Sequence, residues 1–190
     1  AVNLRFDASE RRIVLVAGEI MVTTRHGSSV AADPRPLLVE TAQGSIRSLG
    51  TRFTVRQRAE RTDVAVLQSA VEISSRSAPG STRVLVAGEQ TRFSSEKIEA
   101  PTLADEQAHA WTRGQLLADD QRLDDFLAEV ERYRSGVLRV DPQVASLRLS
   151  GVFPLADTDR ILATLPSVLP VRVQWRTRYW ASVGPADAGR

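Results

Sequence analysis

The residue types that most often carry catalysis are sparse in this sequence. His26 and His109 are the two histidines among 190 residues. The surrounding residues favour a turn or surface position for the first and a solvated connector for the second. The chain has no cysteine, which removes thiolate nucleophiles, cysteine metal ligands and disulfides. Motifs of serine hydrolases, phosphate-binding loops and zinc proteases are also missing. The sequence therefore argues against a conventional enzyme and predicts neither a cofactor nor a small-molecule substrate.

Four neighbouring aspartates are the best candidates for acid–base chemistry or a metal site. Asp119, Asp120, Asp124 and Asp125 surround the start of a predicted helix. Carboxylates at such a position cap unpaired backbone N–H groups and complement the helix dipole. We therefore expect Asp119 or Asp120 to cap this helix, and we expect no metal site.

The overall charge bears on the class of partner. The formal net charge is +2, too small for the electrostatic attraction on which nucleic-acid binding depends. No apolar run reaches the ~20 residues of a membrane span. The first residues also lack the charged start and apolar core of a signal peptide. These features favour a globular protein that binds no nucleic acid.

The first half of the chain predicts strands. Residues 12–93 alternate apolar and polar residues in short runs separated by glycines, and a further strand is expected at 96–100. The hexapeptide Val-Leu-Val-Ala-Gly-Glu occurs twice, at Val14–Glu19 and Val84–Glu89. A recurring strand-and-turn unit predicts either a small β-solenoid or a β-sandwich.

The pattern changes after Pro101. Apolar residues at helical spacing predict helices at about 121–134 and 157–165. With the strands between them, the order is β-α-β and then β-α-β-β, which is typical of a small α+β sandwich. The predicted fold is mainly β with a C-terminal α+β part, divided into domains 1–106 and 107–190.

Three stretches of the first half form an ordered set of motifs. They are Asp33–Thr41, with its Asp-Pro-Arg-Pro start, Leu49–Phe53, which reads Leu-Gly-Thr-Arg-Phe, and Val64–Val71. In this order they resemble motifs of the FecR family of transmembrane regulators of iron-uptake signalling. The sequence departs from the family pattern at Ser69, where glycine is usual. Serine at that position argues against a turn with positive φ.

The second half resembles the C-terminal region of the same proteins. That region is similar to the short N-terminal domain of secretins and TonB-dependent receptors, and the likeness starts at Trp111. Together the two resemblances cover nearly the whole chain. They imply a β-solenoid or β-sandwich-like FecR domain followed by the small α+β domain.

The resemblance also implies a place and partners for the protein. The chain would be the periplasmic region of a single-pass inner-membrane anti-sigma regulator. It would bind the N-terminal signalling domain of a TonB-dependent outer-membrane receptor that carries a siderophore or iron complex. A cytoplasmic segment outside this sequence would bind an extracytoplasmic-function sigma factor. The alternative is an envelope protein whose FecR-type domain binds glycan or peptidoglycan.

One peptide bond invites a chemical hypothesis from the same resemblance. Some members of the family cleave themselves at the Gly-Thr of this motif, which is Gly50-Thr51 here. The threonine hydroxyl would attack the preceding carbonyl, and the resulting ester would hydrolyse. The structural interpretation, which the sequence favours, is that Gly50 forms a turn, Thr51 bonds locally and Phe53 fills the core.

An aromatic cluster near the end of the chain is the candidate partner-binding site. Two of three tryptophans and one of two tyrosines lie in residues 175–180. Because strand residues alternate in direction, at least one ring should leave the core side. Exposed aromatics beside arginines are typical of interface anchors. The alternative is that all the rings fill or cover a small core. The candidate residues are Arg172, Trp175, Arg176, Arg178, Tyr179 and Trp180.

Overall fold

The computed structural model describes residues 1–24, 33–78, 80–105 and 107–186. His26 lies outside the described residues. The chain divides into two compact units, Ala1–His109 and Ala110–Arg190. The domain limits drawn from the sequence, 1–106 and 107–190, remain a prediction about independent folding.

The first unit is built from strands. In chain order they are β1 (Val2–Phe6), β2 (Arg11–Leu15), β3 (Gly18–Thr23), β4 (Leu37–Glu40), β5 (Gly44–Ser48), β6 (Arg52–Gln57), β7 (Thr62–Gln68), β8 (Ala70–Ser75), β9 (Thr82–Val86), β10 (Glu89–Phe93) and β11 (Thr102–Leu103). No helix occurs among the described residues before position 107. The strand-rich prediction is confirmed.

These strands form two sheets that share one core. The six-stranded sheet has the order β1-β2-β4-β5-β8-β9, and the five-stranded sheet has the order β11-β10-β7-β6-β3. Fully buried residues of both sheets, among them Val39, Ile46, Phe53, Val66 and Leu85, form one apolar cluster. The pairing is antiparallel except between β2 and β4. A solenoid stacks parallel coils, so the unit is a β-sandwich.

The repeated hexapeptide has one structural role in both copies. Each copy begins in a strand of the six-stranded sheet, β2 or β9, and ends in the five-stranded sheet, in β3 or β10. Gly18 and Gly88 have φ of +97° and +84°, a conformation that glycine adopts without steric cost. Leu15 and Leu85 are 1% and 0% exposed. The repeat is therefore a corner that carries the chain between the layers and inserts one leucine into the core.

The turn between β7 and β8 corrects one expectation. Ser69 has a φ of +63°, so the turn has positive φ although serine replaces the usual glycine. For a non-glycine residue this conformation costs roughly 1–2 kcal/mol. Two hydrogen bonds offset the cost. The Ser69 carbonyl accepts from the Ala87 N–H at 2.8 Å, and the Ser69 hydroxyl donates to the Leu49 carbonyl at 3.3 Å.

The prediction of a strand at residues 96–100 was also wrong. A single bridge joins Phe93 to Ile98. The Ser94 hydroxyl accepts from the backbone N–H groups of Glu96 and Lys97 at 3.3 and 3.1 Å. This local turn competes with an extended chain, as serine side chains often do.

The second unit mixes strands and helices. The elements from its start are α1 (Gln107–Ala110), which crosses the boundary, a 3-10 turn (Trp111–Arg113), β12 (Gln115–Arg122), α2 (Leu123–Glu131), β13 (Val137–Val140), α3 (Pro142–Ala145), β14 (Arg148–Pro154), α4 (Thr158–Val168), β15 (Val171–Thr177) and β16 (Trp180–Pro185). Both main helices occur where the sequence predicted them. His109, in α1, is half-buried, where a solvated position was expected.

Two small sheets and two helices surround the second core. The strand β12 pairs with β14, and the other sheet has the order β13-β16-β15. Apolar residues of α2 and α4 meet both sheets in one cluster. Phe126 and Phe153 pack with their ring centroids 4.7 Å apart. No helix among the described residues is long and apolar enough to cross a membrane.

The predicted helix cap was wrong. Asp119 and Asp120 lie in β12, and the residue at the N-cap of α2 is Arg122, without a capping side chain. Strand pairing prevails because β12 continues through Arg122 opposite Arg148, past an irregularity after Ala118. Asp120 bonds there to Arg148 at 2.9 Å. Only Asp124 and Asp125 occupy the first helical turn.

Candidate partner-binding surface

The strands β15 and β16 form an antiparallel hairpin that carries the aromatic cluster. The turn consists of Arg178 and Tyr179, and the Tyr179 N–H donates to the Thr177 hydroxyl at 3.2 Å. The register shifts between Trp175 and Thr177, which indicates a bulge at the residue between them. A bulge re-aims the side chains of the bulged strand. The alternation of side chains between the two faces of the sheet therefore ends just before the turn.

All three rings of the hairpin are exposed. Trp175, Tyr179 and Trp180 expose 43%, 49% and 44% of their surface. The sequence required at least one ring to leave the core side, and none of the three rings is fully buried in a core. The alternative that they cover the end of a small core remains open. The core of this unit is filled by aliphatic residues and phenylalanine instead. Exposed large aromatics grouped on one hairpin make it the candidate for an interaction surface.

Each exposed ring has an arginine stacked on it. The distances from the guanidinium carbon to the ring centroid are 5.4 Å for Arg134 and Trp175, 5.3 Å for Arg176 and Trp180, and 4.5 Å for Arg178 and Tyr179. Such cation–π contacts contribute about 0.5–1 kcal/mol each at exposed sites. They restrict the rings, so less rotamer entropy is lost when a partner covers them.

The structure brings most of the predicted arginines to this cluster, with one exception. Arg176 and Arg178 contact the rings. Arg172 is also exposed, but it lies further along β15, opposite Gly184. Of the six predicted residues, two arginines and three aromatics therefore lie near the hairpin turn, and Arg172 lies towards the other end of β15.

A cleft of about 480 Å³ lies beside the hairpin turn. It is lined by residues 133–135, 158–159 and 178–179. These residues come from the segment after α2, the start of α4 and the turn itself. Sequence reasoning found only the last of the three. The arginine, tyrosine and glycine that follow α2, at Tyr133, Arg134 and Gly136, were the available signal.

Arg134 is the residue of this cleft that the sequence analysis missed. Its side chain is 4% exposed, and its Nη2 lies 3.2 Å from Asp159 Oδ1. Its Nε and Nη1 are buried and have no hydrogen-bond partner in the described structure. A buried guanidinium is rarely left in this condition. Arg134 therefore pairs with the exposed Asp159 and lies beside the Trp175 ring, and two of its nitrogens have no acceptor.

Gly136 allows the hairpin turn to approach closely. The Val137 N–H donates to the Tyr179 carbonyl at 2.8 Å. A Cβ at Gly136 would lie 2.0 Å from that same carbonyl oxygen, and the residue has a φ of +114°. Any side chain at this position would displace the backbone of Tyr179. Gly136 therefore permits the close approach of the Tyr179 backbone.

The Gly50–Thr51 bond lies in a corner of the sandwich where the polar groups of Thr51 are hydrogen-bonded. Gly50 has a φ of +77°, and Thr51 is 1% exposed. The Thr51 N–H donates to the Thr24 hydroxyl at 2.8 Å, and the Thr24 N–H donates to the Thr51 carbonyl at 2.9 Å. The Thr51 hydroxyl donates to the Gln68 carbonyl.

These bonds bear on the chemistry at Thr51. An attacking hydroxyl needs a base to take its proton, and here it donates to a backbone carbonyl, which is a very weak base. The turn, the local bonds and the fully buried Phe53 agree with the structural interpretation. Self-cleavage stays a prediction to be tested on the purified protein.

The Asp-Pro-Arg-Pro stretch is held to β2 by side-chain hydrogen bonds of Asp33, Arg35 and Arg11, which we call the clasp. Asp33 accepts from Arg35 at 2.7 Å, and Arg11 donates to the Arg35 carbonyl at 2.8 Å. The bond from the Arg35 guanidinium holds the pKa of Asp33 well below its usual value, with help from the Arg35 N–H and the Arg11 charge. The clasp lies at the start of the parallel pair of β2 and β4.

The four aspartates of the sequence analysis were candidates for a metal or acid–base cluster. Among the described residues, no group of three or more histidines and carboxylates could hold a metal ion. The four aspartates divide between a strand and a helix turn, where Arg122 and Arg148 bind two of them. The arrangement is therefore that of a strand-rich sandwich followed by a small α+β unit with exposed aromatic rings, which makes this hairpin the candidate site of the chain.

Comparison with known proteins relates part of the chain to a family. The FecR family model, described as FecR protein, matches residues 1–72. This region, which is less than half of the chain, is similar to the FecR family, as its motifs indicated. The likeness to FecR proteins in this region supports a regulatory role. No curated protein sequence matches it significantly.

Solved structures support the fold over almost the whole chain. Two crystal structures of a proposed anti-sigma factor from Parabacteroides distasonis ATCC 8503 are similar to it. The first has a TM-score of 0.71 at 19% identity and covers 95% of this chain and 83% of its own. The second has a TM-score of 0.69 at 20% identity, with 94% and 82% covered. At these identities the likeness concerns the fold.

Proposed function

We propose that this chain is the periplasmic sensor region of a single-pass inner-membrane anti-sigma regulator. In this proposal it binds the N-terminal signalling domain of a TonB-dependent outer-membrane receptor loaded with a siderophore or iron complex. The signal passes to an extracytoplasmic-function sigma factor through a cytoplasmic segment outside the present sequence. The observation that carries the proposal is a hairpin with three exposed rings, in a chain that begins with a FecR region.

The composition of the hairpin supports a protein as the partner. Trp, Tyr and Arg are the residue types most enriched among interface hot spots. Here three rings and two arginines lie within six positions, and an arginine lies over each ring. A partner therefore meets a preorganised apolar surface with a cationic border. Acidic residues around an apolar patch would complement it.

The sheet itself offers a second means of binding. The strand β15 is at the edge of its sheet, and the Ala186 N–H donates to the Pro170 carbonyl at 3.0 Å. Since backbone directions alternate along an antiparallel pair, Val173 and Trp175 direct their N–H and C=O groups away from β16. A strand of the partner can add to this edge. Trp175 then contributes both its backbone and its ring.

Titration calorimetry with the receptor signalling domain tests the proposal. Alanine at Trp175, Tyr179 or Trp180 should weaken binding by at least ~1 kcal/mol, about fivefold in Kd, because an anchor ring is lost. Circular dichroism should show that each variant remains folded. Phe6→Ala is the matched control, because Phe6 is a ring of the first unit that is 55% exposed.

The edge is tested separately by Val173→Pro. Proline removes an N–H that points to the free edge and leaves the bonds to β16 in place, which an edge strand tolerates. Weaker binding with an unchanged fold supports strand addition. Unchanged affinity in all three ring variants, or affinity lost together with structure, excludes the hairpin as the site. Binding to peptidoglycan sacculi with no binding to the receptor domain would instead favour the glycan-binding alternative.

A further inference from the structure

We propose that the cleft beside the hairpin turn receives an acidic side chain of the protein partner, with Arg134 and Arg178 as the cations that hold it. The inference rests on the proposed function for the identity of the partner. It concerns residues outside the exposed rings. It also assigns a role to a buried arginine that the fold alone does not explain.

The first argument is the state of the Arg134 guanidinium. Two of its three nitrogens are buried without a hydrogen-bond partner, although the side chain lines the cleft. Leaving buried charged donors unpaired costs more than leaving neutral ones. The face of the Trp175 ring compensates only in part, as cation–π contacts are weak beside charge-assisted hydrogen bonds. A bidentate acceptor would satisfy the planar fork of an arginine.

The second argument is the charge of the cleft. Arg134 and Arg178 contribute two positive charges, and Asp159 contributes one negative charge. Arg178 is exposed and stacks on Tyr179 at 4.5 Å. The remaining lining residues, Ser135 and Thr158 among them, supply hydroxyl donors. An incoming carboxylate would therefore meet a net positive charge and further donors.

The third argument is that Asp159 occupies the place of such a carboxylate. Its side chain is 64% exposed, and its oxygen lies 3.2 Å from Arg134 Nη2. Charge-assisted hydrogen bonds are usually about 2.7–2.9 Å long. At 3.2 Å the internal pair is longer than this, Asp159 is accessible while Arg134 is buried, and the pair uses one of the guanidinium nitrogens. In this proposal a partner carboxylate replaces Asp159 at Arg134.

The position of Trp175 links the cleft to the exposed rings. Its ring lies over the Arg134 guanidinium at 5.4 Å and is 43% exposed. A carboxylate bound at this guanidinium would lie close to the ring. Binding in the cleft should therefore change the environment of Trp175, and the indole N–H is a direct reporter.

Nuclear magnetic resonance with acetate as the probe tests the site without a receptor. Sodium acetate is titrated against sodium chloride at equal ionic strength, and the Arg134 Nε–H and Trp175 indole N–H signals are followed. We expect saturable shifts of both with acetate and not with chloride. Asp159→Asn should tighten acetate binding about two- to fivefold, because it removes a competing exposed carboxylate. A purely structural Asp159 would not produce this gain.

Two arginine variants complete the test. Arg134→Gln should weaken acetate binding about tenfold or more, the equivalent of one charge-assisted hydrogen bond. Should that variant fail to fold, Arg178→Gln, at an exposed position, must weaken binding in its place. Arg148→Gln is the matched control, since Arg148 is an exposed arginine of the same unit that pairs with Asp120 at 2.9 Å. An acetate response equal in wild type and Arg178→Gln overturns the proposal.

Titration of the receptor domain separates this inference from the proposed function. Asp159→Asn should raise the affinity for that domain, and Arg178→Gln should lower it. Receptor binding that is unaffected by both variants, while the ring variants weaken it, overturns the cleft assignment alone. Acetate binding without receptor binding overturns the partner assignment and leaves the cleft as a carboxylate site.

Discussion

The two units of this protein use their distinctive residues in opposite ways. In the sandwich, the motif residues stabilise the fold. Asp33 and Arg35 bond to each other near the start of β4, Thr51 is buried and hydrogen-bonded, and Phe53 is 0% exposed. In the second unit, the distinctive residues are the rings that the core does not use. Residues that identify a family can thus be structural, while the candidate binding residues lie where no family motif was recognised.

The distribution of tryptophans makes this contrast measurable. Trp111, Trp175 and Trp180 are all of the tryptophans in the sequence, and all lie in the second unit. Tryptophan fluorescence therefore follows the unfolding of that unit, whereas circular dichroism follows both. Two units with separate cores need not unfold together. Denaturant curves with both probes can assign each mutational effect to one unit.

Phe53→Ala should have the largest effect. Phe53 is fully buried in the sandwich core, and removal of such a ring costs about 3–5 kcal/mol. The circular dichroism transition should move to lower denaturant while the fluorescence transition stays. Phe6→Ala, at an exposed position, should change neither. A fluorescence transition that moves equally would show that the two units unfold as one.

Gly136→Ala should produce the converse result. The added Cβ would meet the Tyr179 carbonyl oxygen at 2.0 Å, and with the backbone strain we expect a loss of at least about 2 kcal/mol. The fluorescence transition should move first. Gly114→Ala is the control, since Gly114 has a φ of +72° with nothing within 4 Å of its Cβ. An equal loss in both variants would mean that strain, and not the approach to Tyr179, explains the effect.

Thr51→Ala should have an intermediate effect confined to the sandwich. It removes a buried hydroxyl that donates to Gln68, and loss of such a bond costs about 1–3 kcal/mol. Thr51→Ser keeps the hydroxyl and should lose less. The same variants test self-cleavage: fragments that end at Gly50 should vanish in the alanine variant and persist in the serine variant. A chain that stays intact for days at neutral pH leaves Thr51 with its structural role alone.

Asp33→Asn should have the smallest effect, visible mainly in acid. Its Arg35 partner lowers the folded-state pKa below the unfolded value of about 3.9. The carboxylate therefore stabilises the fold above that value, and the contribution is lost as the pH falls towards the folded pKa. The variant should show a shallower loss of stability below about pH 5 by circular dichroism.

Asp124→Asn provides the matched measurement in the second unit. The Arg122 side chain lowers the pKa of Asp124 in the same sense. Its acid response should therefore appear in the fluorescence transition and not only in circular dichroism. Identical acid profiles of wild type and both variants would show that neither pair contributes to stability.

Much of the architecture was accessible from local sequence patterns. Alternation over residues 12–93 predicted the strands, and helical spacing predicted α2 and α4, because side-chain periodicity follows directly from backbone geometry. The failures were local. Asp120 and the residues up to Arg122 pair with β14, so a long-range ladder overrides a helix-capping signal. Ser69 adopts positive φ, and residues just after β5 and β9 supply its hydrogen bonds.

The candidate site shows where sequence reasoning ends. The sequence by itself determined that aromatics and arginines are concentrated at residues 175–180, and that strand alternation must expose some of them. Only the tertiary structure decided that all three rings are exposed, since this depends on which residues fill the second core. It also brought Arg134, Asp159 and Tyr179, which are far apart in sequence, to one cleft. Packing of distant elements creates such a site, and no local pattern encodes it.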